Sequence, residues 1–185
     1  SINNYNKNIN NGYLGFLYIG LMIDSHNNIK VLEYNCRLGD PETQNLMITL
    51  ENKNIDLIDL IMNQPINNIK DINLDRIDVK DDSFCCTIVL AAKGYPGTYK
   101  KDFYIDCNDV IETNKLKIFH AGTVLKNDKI QSIGGRILTI NVYSDNKDDA
   151  LSIAYENIKK IKIFEDEDMM IQNQDLVFYR EDIGN

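Results

Sequence analysis

Glu33-Tyr-Asn-Cys-Arg-Leu-Gly-Asp-Pro-Glu-Thr-Gln44 is the stretch of this chain richest in groups that can do chemistry. It enters as a strand. Side chains alternate along a strand, so Val31, Glu33 and Asn35 share one face while Leu32 and Tyr34 share the other. A carboxylate and an amide oxygen therefore project side by side, roughly 7 Å apart along the strand. Two hard oxygen donors, with no thiolate or imidazole on their face, suit Mg²⁺ bound together with phosphates. A merely solvent-facing pair is the other reading, because alternation makes such pairs common. Arg37 follows at once, a planar cation with five donors suited to phosphate or carboxylate. Gly39 then permits a sharp turn, Asp40 is placed to cap a helix, and Pro41 stands where a first helical residue belongs. Free backbone N–H groups at such a helix start attract anions. Metal-type ligands, a phosphate-type Arg and a helix start converge here, which predicts the lip of an active site.

On the N-terminal side, residues 1–12 are polar and aperiodic and read as a loop. Leu14–Ile23 is an apolar run that reads as a buried strand, and Asp24-Ser-His-Asn-Asn28 supplies turn residues. Ile29–Asn35 returns as the second strand of a hairpin. Beyond Pro41 the pattern turns helical, with Leu46, Met47 and Leu50 inward. After a break near Asn52-Lys53, Ile55, Leu57, Ile58, Ile61 and Met62 form a second amphipathic helix that Pro65 ends. Residues 66–82 read as a connecting arm, which places a domain boundary at the charge run ending in Asp82. Phe84–Ala92 is a strand closed by Gly94-Tyr-Pro-Gly97. Lys117–Leu125, Lys129–Ser132 and Arg136–Tyr143 read as an antiparallel set with turns at Asn127-Asp128 and Gly134-Gly135. A helix runs from about Lys147 to Ile161 under an Asp145 or Asn146 cap, with Leu151, Ala154, Ile158 and Ile161 inward. Leu176–Tyr179 closes the chain as a short strand. The sum is α+β: a hairpin with two helices, then a mostly antiparallel β domain with one helix.

Bulk composition narrows the function. The 185 residues are 43% hydrophobic and 26% charged, as in a globular protein. A net charge of −8 argues against nucleic acid or an anionic membrane as principal partner, but a local Arg can still hold a small phosphate. No apolar run reaches the length of a membrane span and no signal peptide is visible, so the expected location is the cytoplasm. Four cysteines without a C-x-x-C pair, and two histidines, make neither a disulfide framework nor a zinc site. Lys93-Gly-Tyr-Pro-Gly97 lacks the Lys-Ser/Thr ending of a phosphate loop and reads as a turn.

The signature Arg37-Leu-Gly-Asp-Pro-Glu-Thr-Gln44, preceded by Glu33-Tyr-Asn-Cys36, resembles that of the glycinamide ribonucleotide synthetase (phosphoribosylamine–glycine ligase) family of ATP-grasp enzymes. Further matching stretches are Gly15-Phe-Leu-Tyr18, Gly20-Leu-Met-Ile-Asp24, Ala91-Ala-Lys-Gly-Tyr-Pro-Gly97, Phe119-His-Ala-Gly-Thr123, Gly134-Gly-Arg136 and Tyr179-Arg-Glu-Asp-Ile-Gly184. They fall in the family's order from about residue 13 onward.

The resemblance implies that residues 1–82 are the C-terminal part of an ATP-grasp domain with its connecting arm, and 83–185 the synthetase's C-terminal domain. It implies Mg²⁺ (or Mn²⁺) on Glu33 and Asn35, ATP as co-substrate, and glycine and 5-phosphoribosylamine as substrates. Arg37 becomes the catalytic cation at the transferred phosphoryl, acyl phosphate or substrate phosphate. Gly39, Asp40 and Pro41 join Arg37 in binding substrate. Asp40 keeps two readings, helix cap or acceptor for a substrate amine or hydroxyl. No acid lies between Leu14 and Ile23, so a third acidic ligand is not expected there. His120 reads first as a packed histidine and second as a catalytic one, and Arg136 as a turn residue able to reach the cleft between the domains. Family members are more than twice this long, so these residues are expected to be a fragment, inactive alone, whose partner is the N-terminal remainder of the enzyme. The rivals are another carboxylate–amine ATP-grasp ligase, which would not need Asp-Pro-Glu-Thr-Gln, and a non-catalytic fragment that binds a partner chain.

Overall fold

The structure, a computed structural model, describes residues 15–62 and 82–184. Strands β1 (Tyr18–Ile23) and β2 (Ile29–Asn35) form the expected antiparallel hairpin, with Tyr18 opposite Asn35 and Gly20 opposite Glu33, but a bulge after Gly20 sets Leu21 opposite Val31 and so turns Val31 to the face away from Glu33 and Asn35. Its turn is made by one carboxylate. Asp24 Oδ1 accepts from the N–H groups of His26 at 2.8 Å and Asn28 at 2.9 Å, while Asn27 takes a φ of 60°. Asp and Asn favour such turns because their side chains satisfy nearby backbone donors. The first strand starts at Tyr18 rather than Leu14, since its partner ends at Asn35; Leu14 itself lies outside the described residues. The expected burial also differs. Ile19, Leu21, Met22 and Ile23 are exposed, as are Ile29, Val31, Leu32 and Tyr34.

Helix α1 (Glu42–Asn52) ends as Asn54 takes a φ of 54°. The Asn54 N–H donates to Glu51 O at 3.1 Å and the Ile55 N–H to Leu50 O at 2.9 Å, the paired bonds of a Schellman closure. Ile48 and Leu50 are its buried residues, while Leu46 is exposed. The docking side includes Asn45 and Asn52, whose amides donate to Cys85 O at 3.3 Å and Asn114 O at 2.7 Å. A reading that follows apolar spacing alone passes over such polar anchors. Helix α2 (Leu57–Met62) is capped by Asp56, which accepts from Ile58 N–H at 2.7 Å; Ile58, Ile61 and Met62 are exposed rather than inward. Pro65 and the arm over 66–81 lie outside the described residues.

The remainder holds two four-stranded sheets. Taking β3 (Phe84–Ala92), β4 (Tyr104–Asp106), β5 (Leu116–His120), β6 (Thr123–Lys126), β7 (Lys129–Ser132), β8 (Arg136–Ser144), β9 (Lys162–Phe164) and β10 (Val177–Phe178), the orders are β10-β3-β8-β5 and β6-β7-β4-β9. The strand expected over Lys117–Leu125 is therefore two strands in different sheets. It bends at Gly122, where a Cβ would stand 2.6 Å from both Arg136 O and Gly134 Cα. Gly134-Gly135 likewise carries the chain from one sheet to the other instead of closing a hairpin. Asn127 and Asp128, at φ 50° and 60°, do make the two-residue turn between β6 and β7. Strands β4 and β9 are three residues each, too short to show alternation in the sequence.

Helix α3 (Lys147–Ile158) starts under Asn146, whose Oδ1 accepts from Asp148 N–H at 2.8 Å and Asp149 N–H at 3.1 Å. Its Ala150, Ala154 and Ile158 pack with Ile88, Leu90, Phe103, Ile140 and Ile163 into one core. Ile161 is buried just past the helix end. The opposite face of the β3–β8 pair carries a polar network among Cys85, Val89 and Tyr143: Thr87 Oγ1 donates to Asn141 Oδ1, and Asn141 Nδ2 donates to Thr139 Oγ1, both at 2.8 Å. All four cysteines are unbridged.

Burial pushes the Cys85 thiol up to about 11 and, together with the charges of Asp106 and Glu112, the Cys107 thiol to about 12. A group whose folded pKa is raised stabilises the fold fully below its unfolded pKa and loses that contribution as pH climbs toward the folded value. For these thiols the window opens near the ordinary value of 9.0. Thermal stability should therefore fall as pH rises from 9 toward 11, and Cys107→Ala should flatten the fall; equal slopes in parent and variant would contradict the burial of this thiol.

Candidate active site

The candidate site is assembled where β2 runs out and α1 begins. Glu33 and Asn35 sit two residues apart on one face of β2, with Gly20 and Tyr18 directly opposite on β1. Gly20 leaves room for the acid, since a Cβ there would already press within 3.1 Å of Glu33 Cγ. Glu33 is exposed and Asn35 half-buried. The donor set is one carboxylate and one amide oxygen, without sulfur or imidazole, which fits a hard divalent cation. The described residues hold no group of three or more His, Cys, Asp or Glu side chains placed to bind a metal by themselves. Oxygens of a phosphate substrate are the natural remaining ligands for such a pair.

Two residues not singled out in the sequence belong to this corner. The Tyr18 hydroxyl donates to Glu42 Oε1 at 3.2 Å, and the Glu42 charge raises the phenol's pKa, which keeps it a donor. Glu42 in turn lies against Gly39, where a Cβ would fall 2.2 Å from Glu42 Oε2. A side chain at Gly39 would have to push the Glu42 carboxylate aside. The clue available was the spacing Gly39-x-x-Glu42 at a helix start, with Tyr18 two residues before Gly20.

The turn itself departs from the expected capping. Pro41 occupies the N-cap position, the helix opens at Glu42, and no side chain caps it. The Thr43 N–H donates to Gly39 O at 3.0 Å, so that amide is not left open for an anion. The Asp40–Pro41 peptide bond is cis. Asp40 is no cap: its Oδ1 accepts from Gln44 Nε2 at 2.9 Å, and its Oδ2 lies 3.3 Å from Arg136 Nη2. A carboxylate has about four acceptor sites, so two contacts leave capacity for a substrate donor. Arg37 is exposed and gives Nη1 to Leu38 O at 3.0 Å.

Glu33, Asn35, Arg37, Gly39, Asp40 and Pro41 thus follow one another along the end of β2 and the turn into α1, and contacts from Tyr18 to Glu42 and from Arg136 to Asp40 join that turn to the hairpin and to β8. The structure leaves His120 aside. His120 is exposed rather than packed, at the end of edge strand β5, with Nδ1 3.0 Å from Thr123 Oγ1.

With this geometry in view, the chain's likeness to known proteins is specific. A model of the phosphoribosylglycinamide synthetase C domain matches residues 85–185, and one of the synthetase's ATP-grasp (A) domain matches residues 2–43. The phosphoribosylamine–glycine ligase of Pseudomonas syringae pv. tomato is 39% identical over 175 residues, which cover 94% of this chain and 36% of that protein. The ligase of the same name from Vibrio vulnificus strain YJ016 is 40% identical with the same coverage. The crystal structure of phosphoribosylamine–glycine ligase from Thermotoga maritima superposes with a TM-score of 0.64 at 29% identity, covering 92% of this chain and 37% of that one. The chain thus spans about a third of the length of the curated relatives it matches. Matched by the family's C-domain model over more than half its length, and carrying the signature turn in the expected place, the chain belongs to the phosphoribosylglycinamide synthetase family.

Proposed function

We propose that this chain supplies the metal-holding strand and the phosphoryl-facing turn of a phosphoribosylamine–glycine ligase. The reaction is ATP-dependent. A glycine carboxylate oxygen attacks the γ-phosphorus of ATP as the bond to ADP breaks. The nitrogen of 5-phosphoribosylamine then attacks the glycyl carbon, the carbon–oxygen bond to phosphate breaks, and the nitrogen gives up a proton. Glycinamide ribonucleotide, ADP and phosphate result. The observation that carries this reading is the side-by-side placement of Glu33 and Asn35 on β2, opposite Gly20 and Tyr18, with Arg37 and Asp40 next along the chain.

Glu33 and Asn35 would hold Mg²⁺ or Mn²⁺, which, when bound, offsets the charge of the ATP phosphates. Arg37 offers most of its guanidinium donors to the transferring phosphoryl or to the acyl phosphate, a use for which a planar fork is suited. Gly39, Asp40 and Pro41 set the course of the main chain beside it, and the spare acceptor sites of Asp40 orient a substrate amine or hydroxyl.

The same reading divides the chain into 1–82, from the ATP-grasp domain and its arm, and 83–185, the C-terminal domain. It takes the partner of these residues to be the N-terminal remainder of the enzyme. Support comes from the hairpin, one face of which exposes a row of apolar side chains, Ile19 opposite Tyr34 and Leu21 opposite Val31. Uncovered surface of that kind marks a contact with further protein. No helix among the described residues is long and apolar enough to cross a membrane, and the reading places the enzyme in the cytoplasm.

In the complete enzyme, Glu33→Gln keeps shape and one oxygen but removes a charge. Turnover should fall on the order of 100-fold, roughly 2.7 kcal/mol of transition-state stabilisation, with folding intact. Unchanged turnover at saturating Mg²⁺ would take Glu33 out of the metal site. Arg37→Lys tests the fork separately: melting should hold while turnover drops at least about tenfold, roughly 1.4 kcal/mol of barrier. A silent substitution would make Arg37 an ordinary surface cation.

A further inference from the structure

Arg136 opens β8, yet its side chain leaves the sheet for the signature turn. Its Nη1 donates to the main-chain carbonyl of Asp40 at 2.6 Å, and its Nη2 lies 3.3 Å from Asp40 Oδ2. One guanidinium thus grips both the backbone and the carboxylate of a residue 96 positions away. An ion pair this open to solvent adds little to stability. What two simultaneous contacts to one residue do supply is orientation.

The two ends of the grip are held very differently. At the Arg136 end the backbone is pinned: Ala92 N–H donates to Gly135 O at 2.7 Å, Gly122 N–H to Arg136 O at 2.8 Å, and Ala121 N–H to Ile137 O at 2.9 Å. Gly122 crosses Gly134 so closely that a Cβ on either would clash with the other's backbone. The Tyr95 ring covers Gly135, 2.1 Å from where a Cβ would stand. This corner has no room to shift. At the Asp40 end the turn precedes a helix that lacks a side-chain cap, and its other ties are local, Gln44 Nε2 to Asp40 Oδ1 and Thr43 N–H to Gly39 O.

We infer that Arg136 is a positioning residue: from the rigid corner of the C-terminal sheets it fixes the main chain of Asp40, and through it the Arg37–Pro41 turn. The C-terminal sheets then belong to the working site without touching the reacting atoms. The catalytic part of this inference rests on the ligase reading; the structural part does not.

The test uses the complete enzyme with Arg136→Met, Arg136→Lys, Asp40→Asn and the Arg136→Met/Asp40→Asn pair. Hydrogen exchange of the peptide covering residues 37–44 should quicken in Arg136→Met while the amides of β3 and β8 keep their protection. Turnover should fall about tenfold with KM for ATP little changed, Arg136→Lys should recover part of the loss, and the double variant should be no slower than the worse single one. Unaltered exchange over 37–44 overturns the inference. So does protection lost throughout the sheets in both Met and Lys variants, or a loss confined to KM for phosphoribosylamine, which would make Arg136 a substrate ligand. If the parent enzyme fails to join glycine to phosphoribosylamine, the ligase reading falls while the exchange comparison still decides the grip.

Discussion

The seating of α1 on the β3–β8–β5 sheet, with Ile48 fully buried, fixes where the signature turn lies. The helix crosses the sheet's face opposite α3 and is tied at both ends, by Asn45 to Cys85 on β3 and by Asn52 and Glu51 to Asn114 and Lys117 at β5. Its first turn therefore has one position relative to β8. The signature turn that feeds it is then held from two directions, by Tyr18 through Glu42 on the hairpin side and by Arg136 on the sheet side. Removing Ile48 would cost a few kcal/mol by the usual cavity argument, about 2–5 for such a truncation. The larger consequence would be that the residues of the turn lose their common frame.

The energetics are divided accordingly. Stability comes from the apolar core between α3 and the two sheets, where Ile88, Phe103, Ile137, Leu138, Ile140 and Ile163 are fully or almost fully covered. The candidate site is made of exposed or half-exposed charges whose pairings are worth little to folding. Under the proposed reading, phosphates bind to and leave such a site without unsettling the fold, because its charges stay solvated. The hairpin is the exception to this division, since its apolar face is exposed and calls for cover.

Much of this was legible in the sequence, for local reasons. The hairpin announced itself by alternation and by Asp24-Ser-His-Asn-Asn28, and α3 by its Asn146 cap. The site from Glu33 to Pro41 is a contiguous stretch, so its residues had to be neighbours. What escaped was non-local or polar. The Arg136–Asp40 and Tyr18–Glu42 contacts join distant parts of the chain, which no periodicity encodes. The α1 docking face was hidden because Asn45 and Asn52 serve as anchors beside Ile48. The two strands read as one over Lys117–Leu125 were separable in hindsight by Gly122, since a glycine inside a strand pattern marks a bend or a close backbone approach. His120 was expected to pack because its neighbours are apolar, but β5 is an edge strand and the histidine ends it.

The account turns on the Glu33–Asn35 face of β2 being where the metal meets the nucleotide. Crystals of the complete enzyme with Mn²⁺ and a non-hydrolysable ATP analogue, measured for anomalous scattering, address that point directly. A manganese peak is expected within bonding distance of both the Glu33 carboxylate and the Asn35 side-chain oxygen, shared with phosphate oxygens. Manganese bound to the nucleotide elsewhere, with that face of β2 bare, would contradict it.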